Sequence, residues 1–536
     1  VSSRRLLGGV AGAATMIAVL TVASRLVGFG RWWVQAKTVG ATAVGNAYAT
    51  ANTVPNVLYE VVAGGALAGA VIPLLAAPLA RKIQADVDRI SSALLTWAML
   101  ALIPIALALT LLARPIAEAL PQSVGGNPAA QEDLTTFFLI VFAPQVVLYG
   151  IGVVLTGVLQ AHRRFLAPAL APLVSSTVVI LSYVAFGALA DGMQDQPGQL
   201  SDAALAWLAW GTTAGVAVLS LPLLIPVRRC GVRLRPTLRF PPGVARRAGA
   251  LALAGIGSLV AQQVSVLAVV LLARKGGAEG TINVFQWTQA VYLLPYAVLA
   301  IPLATAVFPR LAELASNGHR DQFARTADGS TRAVLAVSML GMAALLAVAP
   351  AAEAVFALGN DTAGMTLALT LMAPGVVGLA MIFHVGRALF ALDRQRVAVA
   401  ATAGGWLVVT VACAVGVRVV APDGGAPAAT LAVLGLGHSI GMTVAGLALL
   451  VAFARALPGS VTRATARTVL VCGGGAVVGS LVGRWATDAV LDLAGRSGLA
   501  AVMAGLLGAI LAAAAVCGAV FAADRDILSI LRRTRA

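Results

Sequence analysis

Residues 52–76 read NTVPNVLYEVVAGGALAGAVIPLLA. The stretch is apolar enough to cross a bilayer, yet it holds Pro55, Asn56, Glu60, the small-residue run Ala63, Gly64, Gly65 and Ala66, and Pro73. Proline removes a backbone donor and glycine weakens a helix, so such breaks persist in a membrane where the freed groups line a cavity or where bundles must bend. A carboxyl group inside a span is costly and marks a functional position by default. The stretch is therefore expected to be a gating helix, with Pro55, Asn56, Glu60, Gly64 and Gly65 as gating or coupling residues.

The rest of the chain sets this stretch among many spans. Of 536 residues, 60% are hydrophobic and 11% charged, and the mean hydropathy is +0.92. That composition predicts an integral membrane protein of the all-α type and leaves almost no room for a soluble catalytic domain. Apolar runs of bilayer length fall near 9–29, 44–75, 91–113, 134–159, 166–190, 203–226, 247–273, 281–309, 331–352, 364–391, 397–420, 428–454, 466–489 and 498–523, an expectation of about 14 transmembrane helices. The first run reads as a span rather than a cleaved leader.

Loop charges support the count. With the N-terminus inside, 28 of the 37 lysines and arginines fall in inner segments and eight in outer ones, while Arg25 lies within the first span. The bias alternates loop by loop, as the positive-inside rule requires, so a multi-pass membrane protein with both termini cytoplasmic is expected. Because the basic residues are dispersed, the net charge of +16 does not indicate nucleic acid. Trp32, Trp33, Trp207, Trp210, Trp287 and Trp485 fall near outer span ends and are expected to form an interfacial belt. Cys230, Cys413, Cys472 and Cys517 lack CxxC spacing and read as packing residues.

Two echoes suggest an internal repeat. AVIPLLA at 70–76 returns as AVFPRLA at 306–312, and the pattern L-x-A-x-x-R recurs at Leu159–Arg164 and Leu389–Arg394. Each joins span n to span n+6, so the halves share one orientation, the plan of two pseudo-symmetric six-helix bundles around a central cavity. The expected organisation is an N-terminal bundle (1–228), a basic cytoplasmic linker (229–246), a C-terminal bundle (247–456), and two additional helices with a basic tail (457–536). The Gly-rich segment VCGGGAVVGSLVG at 471–483 either packs helices closely or faces lipid.

Ser24–Ala76, SRLVGFGRWWVQAKTVGATAVGNAYATANTVPNVLYEVVAGGALAGAVIPLLA, resembles the first two spans of the MurJ (MviN) lipid II flippases of the multidrug/oligosaccharidyl-lipid/polysaccharide exporter superfamily. The shared pattern is S-R-x-x-G-x-x-R, then P-N-x-L, then a small-residue stretch ending at a proline. It continues in LLPYAVLAIPLATAVFPRLAE at 293–313. The resemblance implies an alternating-access flippase that moves a polyprenyl-pyrophosphate-linked precursor from the inner to the outer leaflet, its headgroup in the central cavity and its tail along the last two spans. Implied partners are the lipid-linked glycan precursor, membrane lipids and wall-synthesis proteins. No cofactor is expected; a coupling cation or the membrane potential would supply the driving force.

Arg25 and Arg31 match the two arginines of the pattern and are headgroup candidates, since a guanidinium binds phosphate oxygens in pairs. Two further basic positions of the family are replaced here, one by Tyr59 and one by Ala290 beside Gln289, so Tyr59 and Gln289 join the candidate cavity set; Asn46 stands where an acid is usual. Glu60 either binds a coupling cation or proton or is a static partner for Arg25 or Arg31. His384 and Arg387, one turn apart, are weaker candidates for a cytoplasmic entrance, and Arg484 with Asp488 reads as a structural i, i+4 pair. A flippase for another polyprenyl-linked glycan, an ion-coupled exporter of small cationic compounds, and a non-transporting scaffold are the alternatives. With no Ser/His/Asp set, phosphate loop or metal-ligand cluster, neither an enzyme nor a metal site is expected.

Overall fold

The structure, a computed structural model, describes residues 20, 23–61, 68–121, 123, 127–253, 256–459 and 461–526. Its elements among these residues are all helices. In order come α1 (23–38), α2 (Ala43–Tyr59), α3 (Ala68–Ala80), α4 (Gln84–Leu111), α5 (Ala113–Ala119), α6 (Pro128–Ala161), α7 (Leu166–Ala190), α8 (Asp202–Ser220), α9 (Leu224–Arg229) and α10 (Val244–Leu253). There follow α11 (Ile256–Gly276), α12 (Thr281–Pro295), α13 (Ile301–Ser316), α14 (Arg320–Ala357), α15 (Met365–Met372), α16 (Gly375–Ala391), α17 (Gln395–Val420), α18 (Pro427–Ala456), α19 (Arg463–Ala494) and α20 (Gly498–Ala523).

Among the described residues, 11 helices are long and apolar enough to cross a membrane, or 12 when α15 and α16, bent by 42°, count as one. These correspond to the third through fourteenth expected spans. The expected spans at 9–29 and 44–75 run across residues outside the described ones, so the count of 14 is not reached here. Helix starts follow local chemistry: Thr42, Asn127, Ser201, Thr462 and Ser497 each accept a first-turn N–H as N-cap, and Pro128 opens α6 where no donor is needed.

The L-x-A-x-x-R echo is a helix-stop signal. At the end of α6, Arg163 takes a left-handed φ of 57° and the Arg164 N–H bonds the Leu159 carbonyl at 2.8 Å; at the end of α16, Asp393 has φ 57° and Arg394 bonds Leu389 at 2.9 Å. This is the Schellman closure, in which the six-to-one bond satisfies a terminal carbonyl. The proline echo leads to a second such pair, Lys82 (φ 57°) closing α3 and Gly318 (φ 72°) closing α13.

The chain divides into two compact units, Val1–Gln122 with Gly126–Gln263 and Ser123–Gly125 with Val264–Ala536. In the first, the buried Tyr48 meets Phe138, Phe142 and Tyr183 edge-on, and its hydroxyl hydrogen-bonds those of Tyr183 at 2.8 Å and Thr212 at 3.0 Å. The linker after α9 lies along α4: Asp88, Ser92 and Thr96 accept the backbone N–H groups of Arg233, Arg235 and Thr237 at 3.1, 3.0 and 3.1 Å. One helical turn of four residues advances about 6 Å and two extended residues about 6.6 Å, so helix and strap stay in register.

In the second unit, α16 crosses α18 so closely that a side chain at Gly378 would meet the Met442 carbonyl. The last two spans belong to this unit. Gly475, Gly479 and Gly483 of α19 bring its backbone onto α20, whereas Gly473 and Gly474 face open space, so the Gly-rich segment is a close-packing seam on one side. Arg332 of α14 ties both helices down: its Nη2 lies 2.8 Å from Asp524, its Nε donates to Thr468 at 3.0 Å, and Thr468 donates to Asp524 at 2.7 Å. Arg484 and Asp488 pair at 3.1 Å.

Two expectations need correction. Trp33, Trp207, Trp210 and Trp485 are exposed, but Trp287 is fully buried and stacks on Phe356, where the indole fills the helix interface instead of an interfacial belt. Cys413 and Cys472 are buried, while Cys517 is exposed and fills no core.

Candidate functional site

The opening stretch stays α-helical through Pro55 and again through Pro73. α2 contains Pro55 and ends at Tyr59, Glu60 and Val61 continue as a wider π turn, and α3 is described from Ala68. Gly64 and Gly65 lie outside the described residues. In the second unit a π turn, Tyr296–Ala300, separates α12 from α13 directly after Pro295. The register that pairs Pro73 with Pro309 also pairs Glu60 with Tyr296, so the π turns occupy matched positions in the repeat. Such turns are frequent at functional sites and loosen the helical ladder locally.

Around the first π turn, Asn56 is held from both sides. Its amide donates to the Asn52 carbonyl at 2.8 Å, and its Oδ1 accepts the Tyr149 hydroxyl of α6 at 3.0 Å. Tyr149 in turn lies against Tyr59, the ring centroids 4.4 Å apart. These two rings form one wall of a cavity of about 310 Å³ whose other sides include Thr156, Gln160, Pro172 and Ser220. Ser220 is buried, and its hydroxyl has no hydrogen-bond partner among the described residues. Apolar residues such as Val153, Pro168, Ala171 and Leu219 complete the lining, and none of its described residues is charged.

Glu60 is half-buried, and among the described residues it makes no ion pair with Arg25 or Arg31. Arg25 is exposed on α1. Arg31 is half-buried with its guanidinium 5.5 Å from the Trp32 ring centroid. The structure thus places Pro55, Asn56, Tyr59 and Glu60 at the end of α2, with Asn56 and Tyr59 against Tyr149 of α6. Tyr149 was missed in the sequence: it is one polar ring in the long apolar run 134–159, and nothing local says that it faces α2.

In the second unit, Gln289 is half-buried on α12 before the π turn. His384 and Arg387 do not share a surface. His384 is buried, with its Nε2 within 3.2 Å of Ser330 and 3.3 Å of Thr331, so it stitches α16 to α14. Arg387 lies 3.9 Å over the Phe383 ring and donates to Thr305 at 3.3 Å, facing α13. No group of His, Cys, Asp or Glu among the described residues is arranged to hold a metal.

A bundle of lipid-length apolar helices defines the class: a multi-pass membrane protein with the fold of the multidrug and lipid-exporter superfamily. Solved structures share it. One titled "Lipid II flippase MurJ, inward closed conformation" superposes with a TM-score of 0.69 at 15% identity, covering 93% of this chain and 98% of that one. An inward-facing multidrug resistance transporter of the same superfamily gives 0.63 at 13% identity over 82% and 94%.

The family described as "Lipid II flippase MurJ" matches residues 35–488, and the chain belongs to that family. A relative from Rhizobium meliloti (strain 1021), called a probable lipid II flippase MurJ, is 28% identical over 333 residues, which make up 61% of this chain and 59% of the relative. The chain thus spans about three fifths of that relative's length.

Proposed function

We propose that this protein is an alternating-access flippase that carries lipid II, a polyprenyl-pyrophosphate-linked peptidoglycan precursor, from the inner to the outer leaflet of the cytoplasmic membrane. Membership of the MurJ family over residues 35–488 carries this reading. Arg25 and Arg31 serve the pyrophosphate, because a fixed guanidinium is the side chain best matched to phosphate oxygens away from bulk water. The matched π turns at Glu60 and at Tyr296–Ala300 are the gating points, where a helix bends with least loss of backbone hydrogen bonding. Arg387 serves the cytoplasmic entrance, and both termini are cytoplasmic.

Tyr59 favours a second reading in which the cargo is another polyprenyl-linked glycan. Its ring and that of Tyr149, with Gln160 and Ser220 on a largely apolar wall, offer aromatic faces and a few uncharged polar groups to a sugar rather than a partner for further negative charge. One experiment separates the readings: deplete the protein in its host, resolve lipid-linked intermediates by mass spectrometry, and probe their outer-leaflet accessibility in intact cells. Accumulated lipid II with lost outer exposure supports the first; accumulation of a different polyprenyl-pyrophosphate glycan supports the second; an unchanged lipid pool defeats both.

A further inference from the structure

The strap along α4 encloses a cavity that the transport reading does not use. Its volume is about 770 Å³, and it lies between α4 and the stretch that follows α9. Arg228, Arg233 and Arg235 stand on its basic side, and Leu95, Met99 and Leu224 on its apolar side. All three arginines are exposed, and none makes an ion pair among the described residues. The neighbouring carboxylate, Asp88, is engaged by the Arg233 backbone N–H at 3.1 Å and the Gln84 amide at 2.9 Å. The strap backbone is held by α4 side chains, so the arginine side chains are not needed to keep it in place.

The apolar side does not end at the cavity. Trp97, Leu100, Ile103, Leu107 and Leu111 are exposed along the same α4, and the Trp97 indole N–H donates to the Leu238 carbonyl of the strap at 3.2 Å. A phosphate group set among the arginines would have an apolar helix face leading away from it. A soluble anion has no use for Leu95, Met99 and Leu224, whereas a lipid uses both sides at once.

We propose that this cavity is a binding site for an anionic phospholipid, its phosphate held by Arg228, Arg233 and Arg235 and its acyl chain laid over Leu95, Met99 and Leu224 onto the exposed face of α4. The occupant is a structural lipid of the surrounding membrane, bound at a place separate from Arg25, Arg31 and the Tyr59 cavity. Its occupancy would brace the strap against α4.

The test uses the full chain in detergent and native mass spectrometry with phosphatidylglycerol, phosphatidylcholine or inorganic phosphate added. Phosphatidylglycerol should stay bound in preference to phosphatidylcholine, and inorganic phosphate should not displace it. The double variant Arg233→Gln/Arg235→Gln should weaken phosphatidylglycerol binding roughly thirtyfold, the loss of two surface guanidinium contacts. Arg246→Gln, exposed and outside the cavity, should change nothing. Met99→Trp, which fills the apolar side, should weaken binding of both lipids. Equal phosphatidylglycerol binding in the wild type and the double variant overturns the site. Equal losses from Arg246→Gln reduce it to diffuse surface charge, and displacement by phosphate with no effect of Met99→Trp reduces it to a plain anion site; either result also overturns it. Because Arg233 and Arg235 are exposed, the double variant folds regardless of how Met99→Trp behaves, and the arginine arm decides alone.

Discussion

Removing the Asp524 carboxylate should unfasten the last two helices from the second unit. Its side chain is 1% exposed and that of its partner Arg332 8%, and the two meet at 2.8 Å with Thr468 bridging them. Asp524→Ala leaves a guanidinium buried without its counter-charge, which costs about 3–5 kcal/mol. Thr468→Val removes one bridging hydroxyl and should cost about 1 kcal/mol. The double change Arg332→Met/Asp524→Leu removes both charges at similar volume and should return near the wild type, since such replacements are often neutral or better. Reversible unfolding of the purified full chain in mixed detergent measures the series. If Asp524→Ala falls within about 1 kcal/mol of the wild type, or if the double variant is worse than either single one, the pair is not the fastening it is taken to be.

Arg25→Ala should abolish transport with a stability change within about 0.5 kcal/mol, because Arg25 is exposed on α1; normal complementation of a depleted host would remove it from the mechanism. Glu60→Gln should strengthen binding of an anionic headgroup if Glu60 acts only as a local negative charge, and abolish ion-dependent transport without that gain if it carries a coupling ion; titration calorimetry beside flux assays tells the two apart. Gly378→Ala should destabilise by about 1–3 kcal/mol, because its new methyl meets the Met442 carbonyl, while Gly386→Ala on the same helix meets nothing and should be neutral or slightly stabilising; matching melting shifts for the two would refute the close crossing. In a background freed of native cysteines, single cysteines at Gln196 and Arg239 should differ, only the former reacting with an impermeant reagent in intact cells, and labelling of both would contradict the proposed orientation.

Much of the architecture was legible because membrane folding is governed by local quantities. Run length depends on neighbouring residues alone, and so do the capping residues and the Leu159 and Leu389 stops. α2 runs through Pro55 without interruption, and a π turn follows at Glu60 and Val61. What only the tertiary structure decided is which distant groups meet. The Tyr149 hydroxyl reaches Asn56 across 93 residues and Arg332 reaches Asp524 across 192, while His384 and Arg387, one turn apart, point to different helices. The strap was legible only as a basic loop, since its docking rests on Asp88, Ser92 and Thr96 being spaced to match an extended backbone. The physical reason is the same in each case. In an Ala-, Leu- and Val-rich chain every helix presents similar apolar faces, so hydropathy sets that a segment spans, and the few polar contacts and glycine crossings select its neighbours only once the helices are packed.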